Sequence, residues 1–393
     1  MTMVTPPERV VARPTSTGRD HAVGYTYGNA AVDVVIDDAE THRWLIDFLT
    51  PWATAEAFTG CATQVRFTAA QDAWDALTRR ALAAPVPMPC FVLDSHLVML
   101  PGWEDEHGVA VEDEELGCFY CVRPARVDIV ARPGERRARL GLMRVVRELL
   151  TARRLASGSL LDLHAAAFET GQRAVLIAGP RNAGKTTMLC HALASGGARM
   201  IANDRVLVDL DCGDGEVVGV PTLASARAAT LRFFPALRGG TDSLPTLLHG
   251  GEGDLDREGL LRGTHVRSLS LGAFADRLGS SCVATAPLAA VLFPEIVADI
   301  DTWDLQTLSA ADGLAALGQC RYGAGRDASV RTIFARSDED IPEVGRLDAM
   351  LRRLVESTRV FRCRLGPRAY ERSAVEWLAA LGLDIDRQTP WPV

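Results

Sequence analysis

The chain has 393 residues, 48% of them apolar and 23% charged, a balance that suits a globular protein with a full-size core and excludes a mini-protein or a wholly disordered chain. Forty-two basic against fifty acidic side chains leave a formal charge of −8. No arginine-rich tract stands apart from acids, so nucleic acid is not expected as a partner. No run of 18 apolar residues occurs, and the first residues, with Glu8 and several prolines, lack the apolar stretch of a secretion signal, so neither membrane insertion nor export is expected.

Nine cysteines without framework spacing point to a reducing, cytoplasmic compartment. The only CxxC, Cys118 and Cys121, has no second half to complete a zinc site and reads as part of a β-segment, Gly117 to Val122.

In chain order, residues 1–22, rich in Pro, Thr and Ser, are expected as a flexible tail. Residues 23–134 alternate strand-like runs (Val32 to Ile36, Gln64 to Thr68, Cys90 to Met99, Ala125 to Val130) with helical stretches near His42 to Ala57 and Gln71 to Ala83, predicting an N-terminal α/β lobe. The acidic stretch Glu104 to Glu115 reads as a solvated loop or hairpin rather than a metal site, because its acids do not alternate as calcium ligands do. Leu140, Leu142, Val145, Leu149 and Leu150 recur at helical spacing and predict a connecting helix over 135–157. Residues 158–393 are expected as the catalytic domain. It opens with strands Leu160 to Phe168 and Arg173 to Ala178 around the turn Thr170-Gly171-Gln172, followed by a glycine loop and a helix, Lys185 to Ala194. Further on, Arg238 to Arg267 reads as a mobile loop that could serve as a substrate lid, Pro287 to Pro294 as a buried strand, and Glu343 to Glu356, Arg359 to Leu365 and Tyr370 to Leu381 as helix, strand and helix. No internal repeat is evident.

One detail of composition points at chemistry. Of the basic residues only Lys185 is lysine, in a chain whose Ala, Gly and Arg content suggests a GC-rich bacterial genome. A lysine that persists where arginine otherwise serves is expected to need a compact ammonium on a flexible stem. It sits in Gly179-Pro180-Arg181-Asn182-Ala183-Gly184-Lys185-Thr186, a GxxxxGK[ST] pattern between an apolar strand and a helix. In such a loop, backbone N–H groups and the helix N-terminus cradle phosphates, Lys185 reaches the β- and γ-phosphates, and the Thr186 hydroxyl ligates Mg²⁺. Thr187 and Arg227 complete the expected nucleotide-binding set. Arg227 is expected either to neutralise the transferring phosphate or to form a surface ion pair. Asp204, at the end of the strand after the loop helix, is placed for metal ligation or base work. His164, on the strand before the loop, is either a core histidine or a second member of that site.

The series Leu163-His164-Ala165, strand, GxxxxGKT, helix, Gly197-Ala198-Arg199, Ala202-Asn203-Asp204-Arg205 resembles the C-terminal catalytic domain of the HPr kinase/phosphorylase superfamily, including the HPr-kinase-like proteins of peptide-modification clusters. The tight match covers about residues 160–210, with a looser one to the C-terminus. The resemblance implies an α/β P-loop kinase core akin to phosphoenolpyruvate carboxykinase, and ATP-dependent phosphorylation of a hydroxyl, commonly a Ser on a protein or peptide. Three features depart from the family. Asn203 replaces the first of its paired aspartates, leaving the carboxylate role to Asp204. The glycine-rich loop linked with phosphorolysis is absent, and residues 23–155 do not match the family's N-terminal domain, which makes HPr a poor substrate expectation.

The sequence thus predicts a Mg·ATP-dependent kinase in which Lys185, Asp204 and His164 are catalytic, Thr186 and Asp204 hold Mg²⁺, and the acceptor is a hydroxyl on a peptide, protein or small metabolite. Homo-oligomerisation stays open. The alternative is a nucleotide-binding regulator or ATPase in which Asn203 records the loss of phosphotransfer.

Overall fold

The computed structural model describes residues 21–58, 60–61, 63–81, 85–93, 96–106, 108–156, 159–213, 215–238, 266–322, 332–334, 344–371 and 374–382. It is a mixed α/β protein of two compact units. One comprises residues up to Asp47, Ala53–Met88 and Leu100–Leu150; the other comprises Phe48–Trp52, Pro89–Met99 and Thr151 onward. No helix among the described residues is long and apolar enough to cross a membrane.

The first unit carries β1 (His21–Tyr27), β2 (Ala30–Ile36), α1 (Ala39–Leu49), β3 (Thr54–Glu56), β4 (Gln64–Thr68) and α2 (Gln71–Ala81). Next come β5 (Val86–Leu93) and β6 (His96–Asp105), whose residues 89–99 fall in the second unit. β7 (Gly108–Asp113), β8 (Cys118–Arg123), β9 (Arg126–Ala131) and α3 (Ala138–Leu155) follow, the last five residues of α3 counting with the second unit. The sheet runs β3-β1-β2-β4-β9-β8-β7-β6-β5.

Several expectations change here. β1 begins at His21, inside the stretch expected as tail, of which residues 1–20 lie outside the described residues. The helix expected over His42 to Ala57 is α1, which stops at Leu49 before Pro51, and Thr54–Glu56 is a strand. A residue preceding proline is pushed out of the helical region, so the pattern breaks there. The run Cys90 to Met99 is divided between two strands, β5 and β6. Cys118 and Cys121 both stand on β8. An odd spacing on a strand sends them to opposite faces, so they cannot chelate one ion together. The acidic stretch is a hairpin, with Glu104 opposite Val109 and Asp105 opposite Gly108. It is not uniformly solvated: Asp113 is 4% exposed and accepts bonds from Leu116 N and Tyr120 Oη at 3.0 and 3.1 Å, and burial pushes its carboxyl above the ordinary range.

The second unit begins with β10 (Leu160–Leu163), β11 (Ala165–Thr170), β12 (Arg173–Ala178), α4 (Lys185–Ala194), β13 (Ala198–Ala202), β14 (Val206–Asp209), β15 (Glu216–Gly219), β16 (Leu223–Arg227) and α5 (Ala228–Phe233). It continues with β17 (Val266–Ser270), α6 (Leu271–Arg277), β18 (Thr285–Ile296), β19 (Trp303–Thr307), α7 (Ala310–Gly318), α8 (Val344–Ser357), β20 (Arg359–Leu365) and α9 (Ala374–Ala380). The sheet order is β10-β14-β15-β18-β12-β11-β13, with β20 parallel to β18 and β19 on β20. β11 and β12 form a hairpin in which Gly171 and Gln172 both take positive φ, the twist a two-residue turn of this kind requires. Ala174 to Ala178 are fully buried, as expected for a central strand covered on both faces.

The core joins this sheet to α8, whose Leu351, Leu354 and Val355 are buried at helical spacing. Tyr370 and Leu381 fall outside α9, so the expected last helix is shorter than its hydrophobic pattern. The glycine-rich segment expected as a lid lies, apart from its ends, outside the described residues.

A close approach within this unit yields a test. Trp52, 5% exposed, donates its indole N–H to Ile201 O at 2.8 Å, and a Cβ on Gly219 would lie 2.1 Å from that carbonyl and 2.3 Å from the indole nitrogen. Overpacking of this kind costs about 1–3 kcal/mol and loss of the hydrogen bond about 1 more. Gly219→Ala should therefore lower the urea midpoint with the slope unchanged. A midpoint equal to the parent's would show that the indole yields without cost.

Candidate functional site

The loop between β12 and α4 is shaped by three unusual backbone conformations: φ is +148° at Gly179, +69° at Asn182 and +102° at Gly184. Glycine adopts these at little cost and asparagine tolerates the left-handed one. The loop closes on itself through Ala183 N donating to Pro180 O at 3.2 Å. α4 receives no side-chain cap at Gly184, so its first-turn N–H groups and the positive end of its dipole are presented to an anion. Lys185 is only 8% exposed, and its ammonium donates to Gly179 O at 2.7 Å and Pro180 O at 3.2 Å. A buried cation needs such acceptors. Here the loop supplies them from its own carbonyls.

The opposite wall comes from a change of strand partner. β10 pairs with β14 (Leu163 with Val206), whereas β11, one residue later, pairs with β13 (Ala167 with Ala202). His164 is the residue at that junction, so the run expected as one strand is two. Its backbone N–H donates to Cys320 O at 2.7 Å. The switch sets His164 against the 203–205 turn, and its Nε2 lies 3.1 Å from Asp204 Oδ1, with the His side chain 13% and the Asp side chain 46% exposed.

Arg205 turns away, clasping Asp162 through Nε at 3.0 Å and Nη2 at 2.7 Å and lying 4.0 Å over the Tyr322 ring. That cation–π contact fixes Tyr322 on the rim. Asn203 is 4% exposed and its Oδ1 has no hydrogen-bond partner among the described residues.

The third wall is β16 and α5. Thr187 and Thr230 share a hydroxyl hydrogen bond at 2.8 Å, and Arg227 Nη1 donates to Asn182 Oδ1 at 3.1 Å. Desolvation, then repulsion from Arg181, lowers the Arg227 pKa. Among the described residues neither guanidinium has an ion-pair partner, which leaves two cations beside Lys185 for an anion to neutralise.

Together these walls enclose a cleft of about 670 Å³. It gathers His164, Arg181, Asn182, Gly184, Lys185, Thr186, Thr187, Asp204 and Arg227, while Gly179, Pro180 and Ala183 stand behind as loop backbone. Tyr322, Ser225, Thr230 and Ile296 also line it. Nothing in the local sequence of Tyr322, Thr230 and Ile296 marks them, because each arrives through a distant strand or turn. The Thr186 hydroxyl and the Asp204 carboxylate share the cleft, two oxygen donors of the kind a hard cation such as Mg²⁺ takes.

The burial of Asn203 explains why an amide stands there. A carboxylate in its place would put charge on an oxygen without a donor, raising its pKa and destabilising the fold once pH passes the ordinary aspartate value of about 3.9. Asn203→Asp should melt below the parent by an amount that grows from about pH 4 and levels off near pH 6, for a cost of about 1–3 kcal/mol. An unchanged gap across that range would mean the carboxylate finds a donor.

No family model matches the chain, and no curated protein matches it. Among solved structures, the HPr(Ser) kinase/phosphatase from Coxiella burnetii matches over 37% of this chain and 72% of its own, at 12% identity and a TM-score of 0.17, a likeness too slight to carry an argument about fold or activity.

Proposed function

We propose that the protein is an ATP-dependent kinase that transfers a γ-phosphate to a hydroxyl, with a P-loop core of the kind its sequence resembles. The observation that carries this reading is the convergence, in one cleft, of a buried lysine at an uncapped helix start with a His–Asp pair on the facing turn. Phosphoryl transfer needs little covalent chemistry from a protein and much positioning and charge compensation, which is what such a cleft supplies. Lys185 exchanges its loop carbonyls for β- and γ-phosphate oxygens, and the α4 N–H groups hold the β-phosphate. Thr186 and Asp204 would hold Mg²⁺, which would offset phosphate charge when bound. Asp204, held by His164, orients the acceptor hydroxyl and takes its proton as the acceptor oxygen bonds to phosphorus and the bond to the ADP oxygen breaks. Arg227 and Arg181 compensate the charge on the transferring group.

The test is incubation with γ-labelled ATP and cell extract, beside a Lys185→Ala control. Label on a second species, absent from the control, is the expected result. Nucleotide binding without label would instead identify a regulator, and release of inorganic phosphate alone an ATPase.

A further inference from the structure

We infer that Ile296, Tyr370 and Phe233 form a shelf for the base of a nucleotide, so that the cleft selects a nucleotide rather than a bare polyphosphate. The inference rests on the phosphate-site reading of the glycine loop given above.

The shelf begins at the loop. β12 and β18 are parallel, Ile177 pairing with Leu292, so their C-terminal ends leave the sheet at the same edge. One end becomes the glycine loop and the other ends at Ile296. A Cβ on Gly184 would meet Ile296 Cγ1 and Tyr370 Oη, each at 3.7 Å. Ile296 lines the cleft, whereas Tyr370 and Phe233 lie outside its lining. The apolar surface therefore starts among the charged groups and runs outward, matching a ligand whose charged chain lies inside and whose ring lies outside. Phe233 continues it, its ring 5.5 Å from that of Tyr370 at 53°.

Two observations speak for an occupant. Ile296 is 66% and Phe233 53% exposed, two of the few large apolar side chains left in water among the described residues. Apolar surface concentrated beside a polar cleft marks a binding site. The Tyr370 hydroxyl is buried without a partner among the described residues, so the inner end of the shelf holds one orphaned polar atom for a ribose or base to satisfy.

The platform is also rigid. Tyr370 packs edge-on to His191 on α4 at 5.3 Å and 82°; His191 stacks on Trp377 and accepts its indole N–H at 3.3 Å. α5, which carries Phe233, is tied to α4 by the Thr187–Thr230 bond. A pre-ordered aromatic surface loses little entropy on binding.

Binding of Mg·ATP and of Mg·tripolyphosphate to the full chain, measured by calorimetry, tests the shelf. The parent should prefer ATP. Phe233→Ser should weaken ATP about tenfold, the usual scale for losing one stacking contact on a base, and Ile296→Ser, which removes an aliphatic contact, should weaken it as well, while tripolyphosphate affinity stays within about twofold for both exposed positions. Equal ATP affinity in parent and variants, or parallel weakening of both ligands, would overturn the shelf. If the parent binds both ligands equally and Lys185→Ala abolishes both, the shelf is wrong and the phosphate site stands. If the parent binds neither, the phosphate-site reading fails and the shelf with it.

Discussion

Arginine at position 185 is expected to inactivate the protein almost as completely as alanine. Lys185 is 8% exposed and reaches two carbonyls of its own loop, Gly179 O and Pro180 O, through one nitrogen. That nitrogen can swing on its four-carbon stem from the carbonyls to phosphate oxygens without leaving the loop. A guanidinium spreads its donors over a planar fork and cannot occupy the same volume. Removing a single donor to developing charge costs about 10²–10³ in kcat; in the kinase proposed above Lys185 would serve both ground-state binding and the transferring group, so loss at or beyond the upper end is expected for Lys185→Ala. Equilibrium binding of Mg·ATP and turnover should fall together in both variants, and in Lys185→Ala the thermal midpoint should hold or rise, because an uncharged side chain relieves the burial of an ammonium. An arginine variant with near-parent turnover would mean that phosphate is not held here.

The elements that surround Lys185 were legible in the sequence because their signals are local. β12, the glycine loop, α4 and β13 occupy one continuous stretch, and each announces itself by a short apolar run, positive-φ residues or helical spacing. What the sequence did not disclose is non-local. His164 stands opposite Asp204 only because the chain exchanges β14 for β13 as partner at that residue, and no periodicity within 160–168 records a change of neighbour. Tyr322 reaches the rim because its backbone N–H bonds Asp162 O at 2.9 Å while its ring lies under Arg205. The Trp52 bond to Ile201 O joins residues 149 positions apart. Ile296 ends a strand that reads only as buried, and it is exposed where β18 runs on past its last pair with β12 (Ile177 with Leu292) while still pairing with Leu365 of β20. Hydrophobic pattern specifies which face of an element is covered, and topology decides by what. The acidic hairpin shows the same limit: charge alone suggested solvation, yet Asp113 lies inside, held by Leu116 N and Tyr120 Oη.

Asp204→Asn is expected to separate chemistry from binding. The carboxylate is 46% exposed and meets His164 Nε2 at 3.1 Å, so an isosteric amide keeps the contact through its own oxygen and the fold bears little cost. It removes the negative charge and the ability to take a proton. General-base catalysis contributes about 10²–10⁴, and the lost metal charge compounds it, so turnover should fall by at least that factor. ATP affinity measured without Mg²⁺ should stay near the parent's, whereas the Mg²⁺ concentration for half-maximal binding should rise. His164→Gln is the companion variant: if His164 acts by positioning Asp204, its loss should reduce kcat by about tenfold, the scale of a supporting contact around a working group, and leave Mg²⁺ dependence intact. Equal losses in the two variants would make His164 the proton acceptor and Asp204 its orienting partner. Ordinary turnover in Asp204→Asn would remove that carboxylate from the chemistry, and because no other carboxylate lines the cleft among the described residues, His164 would be left as the group there able to take the proton.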